Sequence, residues 1–211
     1  MSDLNLGIIG GGQLGSLLSI AAKKLNIKTI VYSDDKDAPA QNFCNEFIFG
    51  DYKNKEKISE FIKKANPITF EFENVPFETL NEINNQKTVI PKPSINRLIQ
   101  HRLAEKDFIN KLNIRTTKYV SIQKKSDLDT LSEFLPGILK TTTMGYDGKG
   151  QYPITKMKDL DTLNIDFSKE YILEKLVKLK KEISVIITRF SNYEFEIYAV
   201  SYTHLTLPTT T

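Results

Sequence analysis

Residues 140–151 read Lys140-Thr-Thr-Thr-Met-Gly-Tyr-Asp-Gly-Lys-Gly-Gln151, and they are the part of the chain best equipped for chemistry. A lysine closes the short apolar run Gly137-Ile138-Leu139, and a glycine-rich charged loop follows at once. Gly145, Gly148 and Gly150 let the backbone turn tightly and bring N–H groups close to an anion, while Lys140 and Lys149 add positive charge. Tyr146 and Asp147 supply a hydroxyl and a carboxylate for a substrate. A lysine at a strand end beside such a loop suits a polyphosphate. The same Asp-Gly pair also suits a plain hairpin turn.

Three further segments carry candidate groups. Gly10-Gly-Gly12-Gln-Leu-Gly15 follows an apolar run, opens a helical pattern and matches the dinucleotide fingerprint. Asp34 and Asp35 lie about 20 residues on, where a ribose-binding acid would sit. Taken alone, the motif allows a dinucleotide, another anion at a helix N-terminus, or a tight packing turn without ligand. Thr69-Phe-Glu71-Phe-Glu73-Asn-Val-Pro76 ends a strand, the place where open α/β sheets bind ligands, and its acids and amide suit an amine or hydroxyl substrate. Tyr171-Ile-Leu-Glu174-Lys-Leu-Val177 ends another strand in an acid and an apolar linker. Glu174 there can accept from an adenine amino group or a ribose hydroxyl, the adjoining backbone can read the base, and Glu182 opens the next strand for similar work. Each segment also has a bland reading, as a packing turn or an ordinary charged strand edge.

The elements that position these groups follow from periodicity. Apolar runs at 4–9, 27–32, 47–49, 67–73 and 88–90 predict five strands, and helical spacing at 13–24, 54–64 and 79–84 predicts helices between them. Such alternation implies a parallel, doubly wound sheet. Pro91 and Pro93 mark a boundary, after which Ser94 is placed to cap a helix. Beyond it the pattern predicts helices at 103–112, 126–135 and 158–163, and strands at 117–122, 137–140, 151–154, 171–174, 182–188 and 195–200, an α+β arrangement. The expected organisation is therefore a Rossmann-like domain over 1–93 and an α+β domain over 94–200. Residues 201–211 lose lysines and acids in favour of threonine, and are expected to be a foreign or disordered tail to be left out of fold reasoning.

The bulk numbers exclude several classes. The 211 residues are 40% hydrophobic and 26% charged, enough for a core, with a net charge of only +3. Interspersed charges leave no basic face for nucleic acid. No run has the length of a membrane span, and the N-terminal residues have neither basic nor apolar leader regions, so the cytoplasm is the expected compartment. The single cysteine, Cys44, rules out an internal disulfide, and the two histidines, His101 and His204, form neither a zinc pattern nor a triad.

Taken in order, Gly-Gly-Gly-Gln-Leu-Gly, Thr-Phe-Glu-Phe-Glu-Asn-Val-Pro, Arg102 within His-Arg-Leu-Ala-Glu-Lys, Lys140, Gly-Tyr-Asp-Gly-Lys-Gly-Gln and the Glu174/Glu182 pair resemble one family, the 5-(carboxyamino)imidazole ribonucleotide synthases. These are ATP-grasp enzymes of purine (IMP) biosynthesis, and the resemblance spans about residues 5–200. It implies a Rossmann-like pre-ATP-grasp domain followed by the first part of an ATP-grasp domain. It also makes the glycine fingerprint a decoy for NAD, with Gln13, Leu14 and Glu73 beside a ribonucleotide substrate. Arg102 and Lys140 would hold the phosphates of ATP, and Gly145, Tyr146, Asp147, Gly148, Lys149, Gly150 and Gln151 would form the closing loop. Tyr146, Asp147 and Lys149 would take part in catalysis. Glu174, Lys175, Leu176 and Val177 would read adenine, and Glu182 the ribose. The implied reaction joins bicarbonate to the amine of aminoimidazole ribonucleotide, at the expense of ATP with Mg2+, in a homodimer when full length. No metal ligand is found within 1–200. The resemblance places those ligands downstream, so the chain is expected not to turn over alone. Formate-dependent glycinamide ribonucleotide transformylase, an NAD-dependent oxidoreductase and a non-catalytic nucleotide-binding module are the alternatives.

Overall fold

The computed structural model of the chain describes residues 4–144, 150–181 and 183–201. The first unit runs β1 (Asn5–Ile9), α1 (Gln13–Lys24), β2 (Lys28–Ser33), β3 (Glu46–Phe49), α2 (Lys55–Lys64), β4 (Ile68–Phe70) and α3 (Phe77–Asn84), with a 3-10 turn at Pro39–Asn42. The strands form one parallel sheet in the order β3-β2-β1-β4. Parallel strands need crossover connections, supplied by α1 between β1 and β2, by the 3-10 turn between β2 and β3 and by α2 between β3 and β4. The run expected as a fifth strand at 88–90 makes only an isolated parallel bridge, Ile68 with Val89. Pro91 follows it, has no N–H to donate and ends the ladder.

Burial explains why these runs became strands. Ile8, Ile9, Val31 and Ile68 are fully buried, as expected where both faces of a parallel sheet are covered. On one face Phe61 of α2 packs against Tyr32, Ile58, Ile62, Leu80 and Ile83. The Tyr32 and Phe61 rings lie 5.6 Å apart in a tilted arrangement. Asn54 caps α2, its side chain accepting from the Lys57 N–H at 3.1 Å.

The second unit begins with α4 (Pro93–Ile99) and α5 (Arg102–Lys111). Lys92, not Ser94, is the residue that precedes α4, because Pro93 takes the first helical position, where a missing N–H costs nothing. There follow β5 (Tyr119–Ile122), a 3-10 stretch at Lys125–Phe134 where an α-helix was expected, β6 (Gly137–Thr141), β7 (Gln151–Ile154), α6 (Met157–Asp161) and β8 (Tyr171–Lys175). These strands form an antiparallel sheet in the order β5-β8-β6-β7. Its own core gathers Ile122, Leu131, Leu139, Ile154, Leu160, Tyr171 and Leu173. A final antiparallel hairpin, β9 (Ile183–Arg189) with β10 (Phe195–Ser201), pairs with no other strand among the described residues and keeps its described side chains exposed.

Because Phe61 is wholly buried in the first core, Phe61→Ala is expected to cost roughly 3–5 kcal/mol, read as a lower urea midpoint with the slope unchanged. An unchanged midpoint would show that this core does not limit stability.

Candidate active site

The fingerprint loop lies between β1 and α1, where Gly10 adopts a φ of 109° that a side chain would strain. Its anion-binding position is already filled. The Gly12 N–H donates to Glu71 Oε1 at 2.8 Å, and a Cβ built on Gly10 would meet that same oxygen at 2.8 Å. Glu71 follows β4 and is set there by its own N–H, which donates to Ile9 O at 2.9 Å. A carboxylate at the positive end of α1 supplies the charge that a pyrophosphate would supply elsewhere. The acid expected at a ribose is also engaged. Asp34 lies near the Tyr52 hydroxyl, and burial followed by the Asp34 charge drives that phenol well above its ordinary range. Tyr32, buried and close to Asp51 and Asp34, is pushed up to about 12. Gln13 and Leu14, beyond the loop, remain exposed on the first turn of α1.

Glu73 reaches the second unit. Gln100, which ends α4, donates through Nε2 to Glu73 O at 2.6 Å and to Val75 O at 2.9 Å. Beside these contacts a cavity of about 130 Å³ is lined by Glu73, Asn74, Ile99, Gln100, Arg102, Glu105 and Met144. The residue expected beside the ribonucleotide and the residue expected on ATP phosphates therefore share one cavity. Glu105 was not anticipated. Burial raises its carboxyl pKa; Lys106 opposes that rise, Glu73 adds to it and Arg102 opposes it again.

Arg102 opens α5. Its guanidinium donates to Thr141 O at 2.8 Å and also to Met144 O, while its N–H donates to Thr142 O at 2.8 Å. It thus grips the near end of the glycine loop. That loop is the connection of a hairpin, because Lys140 of β6 pairs with Gln151 of β7 and Gly150 takes a φ of 69°. The hairpin and phosphate-loop readings of the sequence are thus compatible. Gly145, Tyr146, Asp147, Gly148 and Lys149 lie outside the described residues, as do Glu182 and residues 202–211.

Lys140 and Glu174 meet across the sheet. The Lys140 Nζ donates to Glu174 Oε2 at 3.0 Å, and Lys106 of α5 lies 3.4 Å from Glu174 Oε1. Ile138 is directly opposite Glu174 in the β6–β8 ladder, so Lys140, two residues on, shares its face. Sequence reasoning passed over Lys106. The available signal was its spacing of four from Arg102 on one helix, which puts both on one face. Downstream, Lys175 turns its side chain away to Glu133 O at 2.9 Å, and the Leu176 N–H is used by Pro136 O at 2.8 Å. Leu176 and Val177 are half exposed beyond the strand end.

His101 ties the helix start to the sheet. Its Nδ1 accepts from the Ala104 N–H at 3.3 Å, capping α5, and its Nε2 lies 3.1 Å from Glu170 Oε2. Burial acts to raise the Glu170 carboxyl, but hydrogen bonds from Gln123 and Ser121 and the nearby His101 together hold it below the ordinary carboxylate range. Among the described residues, no group of three or more His, Cys, Asp or Glu could hold a metal ion, and no helix is long and apolar enough to cross a membrane.

Two family models match. The ribonucleotide synthetase preATP-grasp domain covers residues 3–100, and the ATP-grasp domain covers residues 107–206. With these matches, the parallel βα unit and the antiparallel sheet, in which a lysine faces a glutamate and one hairpin carries the glycine-rich loop, are of the ATP-grasp class. Within that class, the chain is similar along nearly its whole length to N5-carboxyaminoimidazole ribonucleotide synthases. It is 32% identical over 196 residues to the N5-carboxyaminoimidazole ribonucleotide synthase of Staphylococcus aureus, an alignment covering 92% of this chain and 52% of that protein. It is 35% identical over 213 residues to the bifunctional purine synthesis protein purC/E of Dictyostelium discoideum, covering 98% of this chain and 20% of that one. The crystal structure of an N5-carboxyaminoimidazole ribonucleotide synthetase in complex with ADP matches with a TM-score of 0.89 at 31% identity, covering 97% of this chain and 55% of that one. The chain thus spans about half the length of the synthases it matches.

The lowered Glu170 carboxyl gives a pH dependence of defined sign. Its folded pKa lies below the unfolded value, so its contribution to stability is present above the unfolded value and lost as pH falls through the folded one. Relative to Glu170→Gln, the unsubstituted chain is expected to lose stability as pH falls below the ordinary glutamate range, measured by thermal unfolding through the acid range. Parallel curves for the two chains would remove Glu170 from the acid response.

Proposed function

We propose that this chain carries the nucleotide-handling and substrate-facing half of an enzyme that carboxylates 5-aminoimidazole ribonucleotide with bicarbonate and ATP, giving N5-carboxyaminoimidazole ribonucleotide, ADP and phosphate. The observation that carries this reading is the 130 Å³ cavity that joins Glu73 to Arg102 and Met144. A reaction that passes an activated carboxyl from a phosphate to an amine needs both sites to open on one space. The named activity of the matching synthases, and the ADP bound by one of them, support it further.

In this reading Lys140, Arg102 and the loop of residues 145–151 hold the phosphates of ATP. A bicarbonate oxygen attacks the γ-phosphorus, the bond to the bridging oxygen breaks, and ADP leaves. The resulting carboxyphosphate meets the substrate amine. A C–N bond forms at the carboxyl carbon, phosphate departs with the C–O bonding pair, and the nitrogen gives up a proton. The protein's part is to place reactants and to stabilise charge with fixed donors. Tyr146, Asp147 and Lys149 border the transfer, and the loop shields the labile acyl phosphate from water. Glu174, Lys175, Leu176 and Val177 receive adenine, Glu182 the ribose, and Gln13, Leu14 and Glu73 the ribonucleotide. Mg2+ would accompany ATP, but the described residues offer it no ligand cluster, so no step here runs through it. We divide the chain into domains at 1–93 and 94–200 on this reading, and assign the intact protein to the cytoplasm as a homodimer. An NAD-dependent activity is disfavoured because Glu71 fills the place of a pyrophosphate.

Isothermal titration tests the reading directly. ATP is expected to bind the chain, NADH is not, and Lys140→Met is expected to weaken ATP by about tenfold or more, the value of a lost charge-assisted hydrogen bond. NADH binding, or ATP binding indifferent to Lys140→Met, would defeat it.

A further inference from the structure

Lys140 is asked to do two things at once. It is the lysine read as a phosphate ligand, and it is also hydrogen-bonded to Glu174, the acid read as an acceptor for the adenine amine. These side chains are largely out of water, with exposures of 19% for Lys140, 13% for Glu174 and 16% for Lys106. When a polyphosphate draws the Lys140 ammonium toward itself, a carboxylate with no other counter-charge would face an incoming polyanion in a poorly hydrated site. The incoming charge would repel the carboxylate, and nothing would hold its oxygens in place as acceptors for the base.

Lys106 supplies the missing counter-charge from a different element. Its ammonium lies 3.4 Å from the oxygen that Lys140 does not use. It also lies 5.7 Å from the centroid of the Tyr119 ring. Tyr119 stands directly opposite Glu174 in the β5–β8 ladder, and its hydroxyl donates to Asp107 Oδ1 at 2.7 Å and accepts from Asn110 Nδ2 at 2.9 Å. Helix α5 is thus pinned to the sheet at the point where it presents Lys106. Arg102, one turn earlier on α5, faces the loop, so phosphate capture and acid positioning are divided between two residues of one helix face.

We propose that Lys106 is a positioning residue that holds the Glu174 carboxylate in place and aimed at the base, leaving Lys140 free to transfer its hold to the nucleotide phosphates. The proposal rests on the reading of Lys140 and Glu174 as nucleotide-binding groups. A merely structural ion pair would tie α5 to the sheet without affecting which base is preferred.

The test is titration of ATP and ITP into the 211-residue chain and its variants. ITP replaces the 6-amino group with an oxygen and so removes the donor that Glu174 accepts from. The unsubstituted chain is expected to prefer ATP. Lys106→Met is expected to weaken ATP by about tenfold and to bring ATP and ITP close to equal. Lys106→Arg, which keeps the charge, is expected to retain most of the preference. In a Glu174→Gln background Lys106→Met should change nothing, because its target is gone. Circular dichroism of each variant checks folding, and Lys106→Gln provides a second neutral replacement if Met disrupts the helix. ATP binding and base preference left intact by both neutral variants, or a loss of equal size in the Glu174→Gln background, would overturn the role of Lys106 alone. No ATP binding by the unsubstituted chain would overturn the nucleotide reading, and this proposal with it.

Discussion

The Glu174 carboxylate is the point on which the second half of the molecule turns. It sits on β8, a central strand of the antiparallel sheet, and each of its oxygens meets a lysine from a different element. One lysine comes from the neighbouring strand and one from α5. The carboxylate and its two ammonium groups form a partly dry cluster with one positive charge in excess, with Arg102 and the acids Glu73 and Glu105 close by. The same contact fixes where α5 lies, and with it Arg102, the cap made by His101 and the stem of the glycine loop. Electrostatics and placement are therefore one problem here. Moving the acid would displace the helix that holds the loop.

The first half solves a related problem in the opposite sense. A helix N-terminus behind a glycine turn attracts anions, and in a dinucleotide-binding protein the attraction serves a pyrophosphate. Here an internal carboxylate, Glu71, meets it instead, and Asp34 lies near Tyr52. The backbone keeps the shape of the fingerprint without its ligand. What remains open is the exposed turn at Gln13 and Leu14, next to the loop that carries Glu73 toward the second unit. The glycine turn thus has its positive end satisfied from within the chain, and the surface left beside it is polar backbone and exposed side chains.

Much of this was legible in the residues. Alternating apolar runs implied a parallel sheet, and the sheet has the expected strands except at 88–90, where Pro91 cuts the pairing short. The lysine before a glycine loop and the acid at the end of 171–174 were visible as types and spacings. Lys106 was not, because α5 buries none of its residues and shows no apolar stripe to orient it. Glu71 and Glu73 were indistinguishable within Thr-Phe-Glu-Phe-Glu, since period-two alternation puts both on one side. Only the approach of β1 and its turn decided that Glu71 meets Gly12 while Glu73 continues to the cavity.

What the sequence determined by itself was local: which runs would be strands or helices, where the glycines permit unusual backbone, and which residues carry charge enough for phosphate chemistry. These follow from side-chain periodicity and backbone sterics, which act over a few residues. The tertiary structure decided the pairings. It placed Glu71 in the anion site of the glycine loop, set Lys106 and Lys140 on opposite oxygens of Glu174, and opened one cavity to Glu73 and Arg102. Such contacts join residues tens of positions apart, and their energies depend on how far packing has removed water from the charges, which no local pattern records.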